Sequence, residues 1–154
     1  MVQMTLVRLT PDDPSHWVLM GETLRRMARF VALLELDTPI DTMLQYVRTH
    51  WAANSPTVAL WVMIHQGGIV AHALAVLESA WGVPYGMVVQ VQVNHGIHMG
   101  RADRLAFLEA VEAWARSQGA TSLKMLTPHL PKVWQRLAGF TFDKYLLKKP
   151  IEAQ

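Results

Sequence analysis

A mixed α/β domain, with a mostly antiparallel sheet carrying helices on both faces, is the fold this 154-residue sequence predicts. Three observations predict it. Two segments of helical period precede a run of strand-like segments between Thr57 and Asn94. The last of those strands, MVVQVQVN, passes through a glycine-bearing turn, HGIHMGRA, directly into an amphipathic helix, DRLAFLEAVEAWARSQ. Beyond that helix the pattern returns to short strand, helix and strand segments. The resulting order is β-α-α-β-β-β-α-β-α-β, and helices bracketing a central meander need a sheet to cover on each side. No repeat, low-complexity tract or linker divides the chain, so residues 1–154 read as a single domain.

Each element has a local cause. Met4 to Leu9 alternates loosely, as a strand does. Asp12-Asp13-Pro14 then supplies a cap and a first-turn proline, and Trp17, Met20, Leu24, Met27 and Val31 recur at spacings of three and four. A second start signal, Asp37-Thr38-Pro39, leads to Ile40, Met43, Leu44, Val47 and Trp51 on one helical face. The period then changes. Thr57 to His65 and Ile69 to Ala80 flank Gln66-Gly67-Gly68 as a hairpin. Trp81 to Gly86, with Gly82, Pro84 and Gly86, reads as the next turn, and Met87 to Asn94 as the third strand of the meander. A helix from about Ala102 to Gln118 stops at Gly119, a strand follows around Ser122 to Leu126, then a short helix from Pro131 to Ala138 and a last strand from Phe140 to Leu147.

Composition removes several function classes. Hydrophobic residues make up 51% and charged residues 17% of the chain, too apolar a mix for disorder over most of its length. No apolar run approaches the roughly 20 residues that span a bilayer, and no basic region leads an apolar block at the start, so a cytoplasmic protein is expected. With no cysteine there is no thiolate nucleophile and no cysteine-bound zinc. A net charge of +2, with basic residues dispersed, describes a solvated surface and not a nucleic-acid face. Nine Met and six Trp fit an adaptable core, a groove for a flexible ligand, or a partner surface. Trp51 and Trp81 either cap the core or mark an interface such as a homodimer's. Neither Gly-x-Ser-x-Gly nor GxxxxGK[ST] occurs, against a serine hydrolase and a P-loop NTPase.

The turn before the third helix carries the chemistry. A strand that ends in a glycine turn at a helix start aims free N–H groups, and the positive end of the helix dipole, at one point. That point suits a phosphate or diphosphate. Arg101 and Arg104 oppose the helix dipole, which makes sense beside an anionic ligand, although both also suit solvent.

These residues in this order resemble the GNAT acetyltransferase superfamily. Its Gln/Arg-x-x-Gly-x-Gly/Ala signature matches Ile97-His98-Met99-Gly100-Arg101-Ala102, with Ile97 in place of the leading polar residue. The tail, AWARSQGATSLKML followed by VWQRLAGFTFDKYLLKK, resembles the family's closing segments, with Gly139-Phe140 in place. The resemblance implies an N-acyltransferase using acetyl-CoA on an unidentified amine acceptor. It further implies that His98, Met99, Gly100, Arg101 and Ala102 hold the diphosphate, and that the backbone of Val91, Gln92 and Val93 lies along the pantetheine.

Acid and base are less evident. Relatives place a Glu on or near strand four and a Tyr on the fourth helix. Here strand four presents Gln90 and Gln92 on one face and Met87, Val89, Val91 and Val93 on the other, and the tyrosine's place falls near Trp134-Gln135. The Asn often found before that helix is also absent, the segment reading Thr127-Pro128-His129. Glu78 is the remaining carboxylate candidate and Tyr85 the acid candidate, against the simpler readings of an exposed strand end and a packing residue. His72, six residues before Glu78, shares its face and reads as a hydrogen-bonded core histidine or a base. His95 and His98 invite a metal, but no nearby Cys or carboxylate completes a set, so none is expected. The second reading of the whole is a GNAT-fold binding or assembly module without catalysis.

Overall fold

The computed structural model describes residues 4–32, 38–94, 96–97 and 99–125. Within them lie β1 (Thr5–Leu9), α1 (Pro14–Ala32), α2 (Ile40–Ala52), β2 (Val58–His65), β3 (Gly68–Ala80), β4 (Val83–Gln92), α3 (Arg101–Ser117) and β5 (Leu123–Met125). They form one sheet in the order β1-β2-β3-β4-β5. The first three pairings are antiparallel and β4 with β5 is parallel. The helix and strand expected at 131–138 and 140–147 lie outside the described residues.

α1 starts where its sequence signal places it. Asp13 Oδ1 accepts hydrogen bonds from the Ser15 backbone N–H (2.9 Å) and hydroxyl (2.7 Å), and Pro14 occupies the first helical position. α2 starts without a side-chain cap; Pro39 stands at the cap, and the Met43 N–H bonds its carbonyl at 3.1 Å.

Two cores sandwich the sheet. On one face, Met20, Leu24 and Met27 of α1 and Val47 and Trp51 of α2 pack on Leu60, Val62, Leu74 and Val89. On the other, Phe107, Val111, Trp114 and Ala115 of α3 pack on Ala59, Trp61, Met63, Ala73 and Val88. Each large side chain so buried contributes about 1.5–3 kcal/mol. β2 is covered on both sides, which is why Val58 to Met63 reads as a continuous apolar run. Trp51 belongs to the core: it is buried, its Nε1–H bonds the Leu9 carbonyl at 3.1 Å, and Trp17 stacks edge-on against it at 5.0 Å. Trp81 is fully exposed.

The β3–β4 hairpin differs from its sequence expectation. Its turn is only Trp81-Gly82, at φ 55° and 80°, and β4 begins at Val83 instead of Met87. Pro84 and Gly86 look like turn residues but serve inside a strand. The Gly86 N–H points away from β3, to the Ser122 carbonyl at 3.0 Å. Pro84, two residues earlier, turns its donorless nitrogen the same way, before β5 begins, so no ladder bond is lost. Gly86 has a packing role. A Cβ there would meet Leu123 Cδ2 at 2.8 Å and Ala115 Cβ at 3.4 Å, so its absence lets α3 and β5 close on β4. Gly86→Val is therefore expected to destabilise the fold by about 1–3 kcal/mol in urea unfolding, through overpacking.

Candidate functional site

The site is built from the far half of β4. The Gly86 bond sets the direction of its peptide groups: even-numbered residues turn N–H and C=O toward the β5 edge, odd-numbered ones toward β3. Val93, consistently, donates to the Val70 carbonyl at 2.8 Å. Among the described residues, which end at Met125, β5 accompanies β4 over Gly86 to Val88. Beyond that, among the described residues, Gln90 and Gln92 face an edge without a strand partner. Of the three positions expected along a ligand arm, Gln92 offers its backbone to this edge, whereas Val91 and Val93 turn theirs inward.

The loop from β4 to α3 closes the open end. The Gln92 amide donates to the Asn94 and Ile97 carbonyls at 3.3 and 3.2 Å, and Asn94 Oδ1 accepts from the Gly96 N–H at 3.0 Å. Met99 is buried in the α3-side core with Phe107 and Trp114 and pins the loop from beneath. Gly100 is the N-cap of α3, at φ −67° and ψ 169°, with no side-chain cap. Its backbone does not require glycine, and a Cβ would meet only Asp103 Oδ2 at 3.7 Å. What the missing side chain leaves is room in front of the helix. The Arg104 N–H bonds the Gly100 carbonyl at 3.2 Å, so the donors of Arg101, Ala102 and Asp103 form the helix's free first turn. Arg101 and Ala102 are exposed and Arg104 is half-buried. This arrangement suits an anion with several oxygens. Asp103, in the same turn, is a like charge such an anion must tolerate. His98 and His95 lie outside the described residues. Among the described residues no three His, Asp or Glu side chains gather as a metal site, and no helix is long and apolar enough to cross a membrane.

The candidates on the α1 and α2 side form a column. Across the β3–β4 ladder, Glu78 opposes Tyr85 and His72 opposes Val91, so all three candidates share one face. Glu78 and Tyr85 sit together near the hairpin tip, while His72 is six residues, about 20 Å, nearer the loop. Glu78 is exposed, Tyr85 half-buried, and Lys124 Nζ lies 4.4 Å from the Tyr85 ring centre. His72 is wholly buried. Thr23 gives its only hydroxyl proton to the Leu19 carbonyl at 2.8 Å, so its 2.7 Å contact with His72 is a bond donated by His72 Nδ1–H. That network assigns the tautomer and leaves His72 Nε2 as a buried acceptor with no partner among the described residues. Burial, and secondarily the Arg26 guanidinium, push the His72 pKa down to about 4. The ring is neutral. Thr23 escaped the sequence reading because a hydroxyl on an apolar helix stripe carries no signal until its partner strand is known.

Between α1, the β2–β3 turn and the end of β4 lies an open groove of about 570 Å³, lined by residues that include Glu22, Arg26, Gly67, Gly68, Val93 and Asn94.

No family model and no curated protein matches this sequence. Solved structures do. A protein from Clostridium acetobutylicum, described as a predicted acetyltransferase and solved with acetyl-CoA, superposes with TM-score 0.66 at 16% identity, over 96% of each chain. Glucosamine-6-phosphate N-acetyltransferase from Arabidopsis thaliana gives 0.61 at 12% identity, over 97% of this chain and 99% of that one. An aminoglycoside N-acetyltransferase in complex with CoA gives 0.63 at 14% identity, over 99% and 97%. The fold is that of the GNAT acetyltransferases.

Two outcomes follow from this geometry. His72 has a folded-state pKa near 4 against about 6.5 when unfolded, so the unfolded chain takes up its proton first as pH falls. The stability this represents, roughly 3 kcal/mol, is complete above pH 6.5 and is lost as pH drops toward 4. Urea midpoints across that window should fall for the native chain and fall less for His72→Gln. At the helix start, Asp103→Asn removes a like charge and should tighten binding of inorganic pyrophosphate by about 2- to 5-fold, read by calorimetry at low salt.

Proposed function

We propose that this protein is an N-acyltransferase that moves an acetyl group from acetyl-CoA to an amine by direct attack. One observation carries this reading: an uncapped helix start behind Gly100 coincides with a strand edge that has no partner among the described residues and leads to it. In this reading the backbone of His98 through Ala102 holds the diphosphate, with Arg101 at its rim, and Gln90 and Gln92 offer strand-like bonds to the pantetheine arm between Val91 and Val93. In this reading the thioester lies at an apex just beyond Val88, the last β4 residue that β5 pairs with among the described residues.

The acceptor reaches the apex from the α1 side. Its nitrogen forms a bond to the acyl carbon as the C–S bond breaks. The nitrogen's proton is lost through water and the departing thiolate takes one up. Outward-facing backbone N–H groups polarise the carbonyl. Glu78 and Tyr85, each three strand residues from the Ala75–Val88 pair on the acceptor face, terminate the water path as proton acceptor and donor. A second reading, binding without turnover, is favoured by Val89 and Val91, which line the acceptor face nearest the apex and carry no titratable group.

The test combines binding with turnover. Acetyl-CoA at millimolar concentration should raise the melting temperature by several degrees, as a ligand at about 100 times its dissociation constant stabilises by about 2.7 kcal/mol. Gly100→Glu, which fills the space before the helix with a carboxylate, should abolish the rise. CoA release with an amine panel then separates the readings: steady turnover supports transfer, and a shift without turnover supports the binding module. An unchanged melting temperature would remove both.

A further inference from the structure

The sheet face under α1 and α2 loses its cover toward the β3–β4 hairpin. Leu74 and Val89 are buried, Val76 and Met87 are half-buried, and Glu78 is exposed. That gradient leaves open ground on the hairpin side of Val88. Lys124 stands there. β5 pairs Lys124 with Met87, one residue before its last described pair, Met125 with Val88. Leu123 turns its side chain to the α3-side core, so Lys124, next in the strand, turns to the α1 and α2 face. Its ammonium lies over the Tyr85 ring, 4.4 Å from the ring centre. β4 runs between β3, which carries Glu78, and β5, which carries Lys124, so about 10 Å separate those two backbones. A carboxylate and a cation thus flank one aromatic strand. Lys124 and Tyr85 are both half-buried, so a charge between them is less screened than in open solvent.

We propose that Lys124 and Tyr85 form a subsite for an anionic group on the acceptor, so that the preferred substrate is an amine carrying a carboxylate or phosphate. The proposal rests on the acyltransferase reading for its catalytic meaning. Distance sets the acceptor's length. Along the strands, the Lys124 backbone is about 3 Å from the Val88 row and Tyr85 about 10 Å. An ammonium between those rows meets an anion several bonds away from the nitrogen under attack. Val76 and Met87, paired across the ladder, give the methylenes between the two ends an apolar floor. Chemistry sets the sign. The ammonium has three donors and no acceptor, and the phenol adds another donor, which together suit an oxyanion. A polyamine brings like charge instead. Contact with the ring holds the ammonium near Tyr85 and reduces the freedom lost when an anion binds. Glu78 repels an anion from the β3 side and so directs it to β5.

The experiment pairs each anionic amine with a neutral counterpart and measures thiol release from acetyl-CoA. The panel is the unbranched amino acids from glycine to 6-aminohexanoate with their carboxamides, and 2-aminoethyl phosphate with ethanolamine. At least one anionic amine should exceed its neutral partner in kcat/KM by roughly 10-fold or more, the worth of a hydrogen bond to a charged group. The amino acids should peak at an intermediate length, and the phosphate pair separates phosphate from carboxylate recognition. Added salt should raise KM for the anionic amine and leave that of its neutral partner alone. Lys124→Met, which keeps a stem over the ring, should erase the preference, and Lys124→Arg should keep part of it. Equal rates within every pair, or a Lys124→Met variant with the preference intact, would overturn the assignment. The paired rates and the salt effect use the native chain, so both readouts hold even where a variant unfolds. Failure of the acyltransferase reading shows separately, as no thermal shift and no thiol release with acetyl-CoA. Calorimetric titration of the same anionic amines then decides. Binding heat that Lys124→Met removes supports the subsite, and no heat with any of them rejects it.

Discussion

A single backbone hydrogen bond, from Gly86 N–H to the Ser122 carbonyl, orders the working half of this protein. It commits β4 to a parallel partner at one end and thereby sets which peptide groups face outward along the rest of the strand. Parity does the remainder. Because side chains and peptide groups alternate with period two, Val88, Gln90 and Gln92 turn their backbone to the edge while Val89 and Val91 turn their side chains to α1. Had the strand slipped by one residue, apolar side chains would lie on the wrong core and the outward donors would belong to other residues. The bond can form only because Gly86 has no side chain to hold Leu123 away.

The fold was legible in the sequence wherever one periodicity dominated. Met20, Leu24 and Met27, and Val47 and Trp51, announced two helices by spacing, and both pack on one face as the pattern required. The misjudged stretch was Trp81 to Gly86. Proline and glycine there signalled a turn, whereas the proline's missing donor faces an unpaired edge and the glycine serves close packing; both reasons belong to tertiary structure. At the candidate site the loop and helix start could be read from Gly100 and its neighbours. The buried contact beneath α1 could not, since Thr23 and His72 are 49 positions apart and meet only when α1 lies across β3.

Acid–base chemistry is the thinnest part of the arrangement, and the fold explains why. The face that the proposed acceptor approaches doubles as a packing surface for α1 and α2, so its strand positions there are Val89 and Val91 of β4 and Leu74 of β3. Titratable groups survive at its two ends, with Glu78 and Tyr85 at the hairpin and His72 under α1. A neutral imidazole buried against a cation is a poor place to store a proton. The acyl transfer proposed for this scaffold therefore leans on positioning and backbone dipoles, which ask for geometry and not for a particular side chain.

Met99 ties that geometry to the interior. Its side chain stands in the same cluster as Phe107, Val111, Trp114 and Trp61, so the loop before α3 inherits its shape from the hydrophobic centre of the molecule. A helix start anchored in this way is preorganised: the anion proposed to bind there does not have to order it first, and less of its interaction energy is lost. The same tether works in reverse. Under the proposed function, a change in the volume of this cluster is transmitted to the helix start as a shift in affinity, so the freedom to repack the core is narrower than stability alone sets.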